Sequence, residues 1–426
     1  MVGFLIGLAC LPLNWIDQWV DGFLAKGFDQ GLGWQLWLPL GAMPLLCFLQ
    51  RDRWRAGVGS GIPQVALSIE TPDFAARFFK WKPLLMRFGL WAIASFCLLP
   101  LGREGPVVFI GAALVWFLSN RLQGAFSQYS AALLFAAAGG AGLAAGFNSP
   151  LTGVVFAVED LFQRWNLPLT WVALAMVIPA AQVAASGGEA LFAYGLITAK
   201  LNHWQQLTLG LPLGIIGGLL GALFSAMVLW ATKNLQPIAT NKPLTLGLGL
   251  GLLLVGLTLI SGGRAYGDGS AVLADLIKRG GNVGYSLGFT TLLGRMLGPV
   301  LALGVGIPGG LIDPALAFGG MAGGLFMGLL KNLDPLVGIA IGMGAGLAGA
   351  TQLPLFSTLF AMKLCGDQQL LPALLLASTF AAMLSKQLQP KPVYHGLTDL
   401  FKANLKSAAA IEEDKDHSRA SQSDQR

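Results

Sequence analysis

Glu104 sits where carboxylates are rare. It lies in Leu101-Gly102-Arg103-Glu104-Gly105-Pro106, between two long apolar runs. A charged group at membrane depth costs at least ~2.5 kcal/mol, so acids kept there are functional by default. Pro106 suits the first turn of a helix, where its missing N–H breaks no bond. The flanking glycines let backbone come close to something small. Together these residues predict a helix whose N-terminus opens at membrane depth beside an ionisable gate.

Two more glycine-rich helix starts accompany it, Gly59-Ser60-Gly61-Ile62-Pro63 and Gly306-Ile307-Pro308-Gly309-Gly310-Leu311-Ile312-Asp313-Pro314. Each can aim unpaired backbone N–H groups, at the positive end of a helix, toward one spot. Partial charges of this kind make an anion site. A lysine in the same place would hold the anion too firmly, because conduction needs moderate binding at each step. Lys391-Pro392-Val393-Tyr394 could add a hydroxyl donor from the far end of the chain.

The elements that must position these starts are apolar. Of 426 residues, 54% are hydrophobic and 11% charged, against roughly 25% charged in ordinary soluble domains. Mean hydropathy is +0.65. The composition is that of a polytopic membrane protein. Met1 to Val20 lacks a basic first region and a small-residue cleavage site, so it reads as a first membrane helix and not as a removed signal. Several apolar segments, such as 105–120, 129–146 and 354–365, fall short of the ~20 residues a full span needs. Broken helices of that length are tolerated where protein buries them or a cavity borders them. Glycine is abundant at 58 residues, about twice its usual ~7%, which favours close helix contacts and mid-depth interruptions.

The net charge of +6 gathers in Arg51-Asp52-Arg53-Trp54-Arg55, in Arg77 to Arg87 and near the C-terminus. The positive-inside rule places those segments in the cytoplasm, with the inner membrane as the setting. No basic patch interleaves with exposed aromatics, so nucleic acid is not an expected partner. Cys10, Cys47, Cys97 and Cys365 are scattered through apolar runs without metal-ligand spacing. They read as packing residues, with neither a metal nor any other cofactor expected.

The chain repeats itself. Gly142-Leu143-Ala144, Pro150-Leu151 and Phe156-Ala157 return as Gly346-Leu347-Ala348, Pro354-Leu355 and Phe360-Ala361. Gly59-Ser60 has its echo in Gly269-Ser270, and Leu84-Leu85-Met86-Arg87 in Leu292-Leu293-Gly294-Arg295. The expected organisation is a first membrane repeat over 1–200, a second over 201–400 and a short polar cytoplasmic tail over 401–426. Two halves with broken helices at matching positions point to a transport site at their interface.

At these motifs the chain resembles the CLC family of chloride channels and chloride/proton antiporters. The resemblance runs from about residue 1 to 400. It rests on GSGIP at 59–63, GREGP at 102–106, FNSPLTGVVFAVED at 147–160, PGGLIDP at 308–314 and Tyr394. It implies an all-α fold of two antiparallel repeats of many tilted, partly broken helices, in homodimers with one complete pathway per subunit. It also implies hydroxyls of Ser60 and Tyr394 on a central anion, completed by the amides of Leu311 and Ile312. With the first turns at Gly61, Ile62 and Gly105, these form the anion-binding set. Glu104 takes the place of the external gating glutamate.

Departures from the family pattern matter too. The family's initial cytoplasmic helix is absent or short. Ile312 stands where a phenylalanine is usual, Asp313 where a small residue is, and Gln64 where a glutamate commonly follows GSGIP. Asp160 stands at the internal proton-transferring glutamate of the antiporters, with Glu159 beside it. That bears on proton coupling more than on anion passage.

The expected function is chloride/proton antiport, with Glu104 as gate and proton carrier and Asp160 as inner proton group. The alternative is a passive chloride channel gated by Glu104. Fluoride export is disfavoured by Ser60 in the first motif. An intramembrane enzyme using Glu104 and Asp160 is disfavoured because no nucleophile or metal constellation accompanies them. Plainer readings exist for single residues. Glu104 could be a first-turn acid worth roughly 0.3–1 kcal/mol, Ser60 an N-cap and Tyr394 an interfacial aromatic. Arg103 reads as a structural pairing residue, and His203 and His395 as bystanders. Asp313 stays open between a structural hydrogen bond and a gating role.

Overall fold

The structure is a computed structural model that describes residues 1–188, 190, 193–197, 201–281, 284–330 and 333–406. Those residues form helices and turns, with one isolated bridge between Gly102 and Gly310. In lipid a backbone must satisfy its own hydrogen bonds, and a helix does so within one segment. Six helices are long and apolar enough to cross a membrane, among them Leu167–Ser186, Trp204–Asn241 and Ile312–Leu329. Helices Val2–Gln30 and Gly33–Arg51 form an apolar pair bent by 112° at a short break, a broken span or a re-entrant loop. The expected all-α, multi-pass architecture is what the chain adopts.

The glycine-rich stretches are where helices begin. Helices start at Ile62, Glu104 and Ile312, each inside protein and not at a surface. Gly61, with φ of 109°, is the N-cap of the first, a backbone region that side chains rarely enter.

The internal repeat has a structural counterpart. Helices begin at Ala131, Pro150 and Leu167 in the first half and at Pro335, Pro354 and Leu371 in the second, each 204 residues on. Two buried arginines obey the same symmetry. Arg87 donates to the carbonyls of Gly59 and Val58, both at 3.2 Å, ahead of the helix Ile62–Glu70. Arg295 donates to the carbonyls of Tyr266 at 2.7 Å and Gly267 at 2.6 Å, ahead of the helix Ser270–Lys278. Each guanidinium thus replaces the hydrogen bonds that its broken segment gives up.

Glycine sets how closely these helices approach. A Cβ on Gly111 would overlap the Ala138 carbonyl, and one on Gly142 the Val107 carbonyl. In the second half a Cβ on Gly319 would overlap the Gly342 carbonyl. Backbone-to-backbone packing of this kind is how membrane helices associate without a hydrophobic drive. The four cysteines are free, three of them buried and Cys97 partly so.

The far end of the chain differs from the expected tail. Residues 393–406 are helical, and Phe401 packs on Phe78 at 5.5 Å while Lys402 pairs with Glu70. Apolar contact and an ion pair therefore hold 401–406 against Phe78 and Glu70. The rest of that stretch, 407–426, lies outside the described residues.

Candidate functional site

Glu104 opens the helix Glu104–Arg121 and is fully buried. Its Oε1 accepts the backbone amide of Asp313 at 2.7 Å, in the first turn of the helix Ile312–Leu329. The carboxylate of one helix start thus occupies the positive end of another, where an anion would bind. The Gly102–Gly310 bridge holds the two starts together, with Gly310 N donating to the Gly102 carbonyl at 2.9 Å. A Cβ at either glycine would overlap the Glu104 carboxylate. Only glycine leaves the acid its room.

The remaining start joins the same point. Gly59 N donates to the Gly306 carbonyl at 2.8 Å, tying the Ser60 loop to the loop that leads to Leu311. Gly105 lies so close to Ser60 that a Cβ there would overlap both the Ser60 carbonyl and its Oγ. Tyr394 arrives from the last helix. Its hydroxyl faces the Leu311 amide and is acted on by the carboxylates of both Glu104 and Asp160. Phe156 packs edge-on against its ring at 6.4 Å.

Ser60 Oγ, Tyr394 OH and Glu104 Oε2 are all enclosed and without a hydrogen-bond partner. Leaving a buried polar atom unsatisfied costs about 1–3 kcal/mol. Buried polar atoms without partners call for an explanation, and a bound ion is one. Two of them are hydroxyls that can donate, and backbone amides border them, which suits an anion. Arg103 is already committed to other partners. It ion-pairs with Asp17, donates to the Gly146 carbonyl at 2.9 Å and lies 4.9 Å from the Phe147 ring centre. The structural reading of Arg103 therefore holds.

Glu159 and Asp160 part company. They lie on a π-helical turn, Ala157–Phe162, after the helix Pro150–Phe156. Glu159 turns toward the helix Pro354–Cys365, where it accepts the amides of Leu355 at 3.2 Å and Phe356 at 2.8 Å. Asp160 is buried, and its Oδ1 has no hydrogen-bond partner. π turns recur at functional sites because they re-aim side chains, and this one separates a capping acid from a free one.

Two features escaped the sequence reading. His395 is no bystander, since it pairs with Gln163 and acts electrostatically on Asp160. Asp17, Asp21 and Asp268 gather with carboxylate oxygens within 4.8 Å of one another. Asp268 also accepts Ser270 N at 2.8 Å and its hydroxyl at 3.1 Å. Asp17 and Asp21 were legible in principle. Acids four apart on an apolar helix share a face, and intramembrane acids need a reason.

Known proteins resemble this chain over most of its length. A family model described as voltage gated chloride channel matches residues 41–386. The H(+)/Cl(-) exchange transporter ClcA of Vibrio parahaemolyticus serotype O3:K6 (strain RIMD 2210633) is 28% identical over 376 residues, spanning 85% of this chain and 78% of that protein. ClcA of Yersinia pseudotuberculosis serotype IB (strain PB1/+) is 28% identical over 433 residues, spanning 96% and 88%. Among solved structures, a CLC-type fluoride/proton antiporter superposes with a TM-score of 0.74 at 22% identity, covering 93% of this chain and 96% of that one. A slow cyanobacterial Cl-/H+ antiporter gives 0.73 at 21% identity, covering 94% and 97%.

Proposed function

The chain belongs to the voltage gated chloride channel family, and from that premise we propose that it exchanges chloride for protons across a membrane. The reading is one of transport, and it asks for no bond-making step. Glu104 is the gate and proton carrier. Ser60, Gly61, Ile62, Gly105, Leu311, Ile312 and Tyr394 form the anion path, and Asp160 is the inner proton group. The observation that supports it best is the Glu104 carboxylate lying on the Asp313 amide. There it competes with an anion when ionised, and it leaves once protonated.

We also take residues 1–200 and 201–400 as the two repeats. The basic segment Arg51 to Arg55 then faces the cytoplasm by the positive-inside rule, and with it the inner membrane becomes the setting. The turn between Gln30 and Leu38 lies at the opposite, outer end. Residues after 406 fall on the cytoplasmic side. Every group in the proposed path comes from one chain, so each subunit of the homodimer that the family resemblance implies would hold a complete pathway.

The test is the reversal potential in planar bilayers under a pH gradient with symmetrical chloride. Exchange predicts a potential that shifts with the gradient. A potential indifferent to it identifies a passive channel.

Selectivity gives an independent check. A hydrogen bond to a charged group contributes roughly 1.5–3 kcal/mol. Tyr394→Phe should therefore weaken chloride binding about 10- to 100-fold by calorimetry. In this family a proline at the position of Ser60 goes with nitrate preference, so Ser60→Pro should raise the nitrate-to-chloride permeability ratio. An unchanged ratio removes Ser60 from the ligand set.

A further inference from the structure

Asp313 is a second acid at the gate. Its amide holds Glu104 Oε1 at 2.7 Å, and the two buried carboxyls act on each other. The side chain is 5% exposed, while Glu104 is 0% exposed. An ordinary first-turn acid faces water or caps its own helix. Asp313 does neither, since its Oδ2 is enclosed without a hydrogen-bond partner, as is Glu104 Oε2. Two buried carboxylates side by side repel each other, and one oxygen of each lacks the donor that burial demands. One proton between them removes both difficulties, because a protonated carboxyl donates to its ionised neighbour.

Further acids border Asp313 besides Glu104: a Cβ on Gly269, next to Asp268, would lie 3.4 Å from the Asp313 carbonyl. Asp268, Arg103 and Asp21 act on Asp313 electrostatically, and so do Tyr394, Tyr194 and Arg295. Of the cations, Arg103 is paired with Asp17 and Arg295 holds the Tyr266 and Gly267 carbonyls. Asp21 and Asp268 belong to the carboxylate cluster with Asp17. Asp21 lies nearer than Asp17 to the end of the helix Val2–Gln30, the outer end in the orientation taken above. Asp17, Asp21 and Asp268 thus gather on the side of Asp313 that Gly269 borders, which is the outer side in that orientation.

We propose that Asp313 relays the proton between Glu104 and the outer solution. This rests on the exchange reading above and deepens it. In the relay the O–H bond of the Asp313 carboxyl breaks as an O–H bond forms on the Glu104 carboxylate. Asp313 then takes a proton from hydronium on its outer side, and the reverse sequence returns it. No electrons are exchanged. Protonated Glu104 leaves the Asp313 amide, which opens the anion path, while the proton travels by a separate branch toward Asp160.

The test measures chloride efflux and proton uptake together from liposomes holding the full-length protein, across a range of external pH. Asp313→Asn keeps size and a hydrogen-bond donor but cannot carry a proton, and Asp313→Glu can. The relay predicts that Asp313→Asn lowers the proton-to-chloride ratio about 10-fold or more, and that Asp313→Glu restores most of it. A structural hydrogen bond would be rescued by asparagine. An Asp313→Asn variant with the wild-type ratio, or one that loses both fluxes alike, overturns the relay while a coupled wild type leaves exchange standing. A wild type that moves chloride without protons overturns exchange itself, and the relay with it.

Discussion

Glu104→Ala is expected to abolish proton movement and to leave a chloride flux that no longer responds to pH. The argument is spatial. In the native chain the carboxylate lies on the Asp313 amide, wedged against Gly102 and Gly310, so an ionised Glu104 and an anion exclude each other. Acidification protonates it, weakens its hold on the helix N-terminus and lets chloride pass. Wild-type flux should therefore rise as external pH falls. With alanine the competitor is gone at every pH, and so is the gate's proton carrier. Glu104→Gln should behave likewise, being a neutral mimic of the protonated acid. Liposome efflux with simultaneous pH recording reads both legs, and proton-coupled flux surviving in Glu104→Ala would mean that the gate lies elsewhere.

The second large effect is expected at Asp160. In planar bilayers with symmetrical chloride, Asp160→Asn should hold the reversal potential still while the pH gradient changes. Asp160 has an enclosed oxygen without a partner, and its charge reaches the Tyr394 hydroxyl that Glu104 also reaches. Asparagine keeps the shape and removes the titration. Glu159→Gln is the control, because Glu159 holds the first amides of the helix Pro354–Cys365 and should affect stability more than coupling. A potential that still follows pH in Asp160→Asn would move the inner proton group elsewhere, with His395 the next residue to test.

Several parts of the site were legible without any fold. Helix starts at Ile62, Glu104 and Ile312 followed from glycine and proline placed within apolar runs, because those residues act on their own backbone. Glu159 and Asp160 diverge because neighbours on a helix do not face together. The π turn that carries them was not foreseen, since its extra residue per turn is decided by what each acid meets. His395 was misjudged for a similar reason. Nothing near it in sequence reveals Gln163, which comes from the other half of the chain.

Taken alone, the sequence determined that the chain crosses a membrane, where its helices break and which acids are rare enough to matter. Hydropathy and backbone chemistry are local, acting over one or two helical turns, and they survive in a linear reading. The internal repeat was determined there too, because equal spacing of 204 residues needs no coordinates. Tertiary structure alone decided which groups meet. Glu104 and the Asp313 amide are 209 residues apart, and Arg103 and Asp17 are 86 apart. Such pairings follow from how glycine-lined helices close on one another. Asp313 shows the difference most clearly. Its sequence position allowed either a cap or a gate, and only the packing of two helix starts placed its carboxyl beside Glu104.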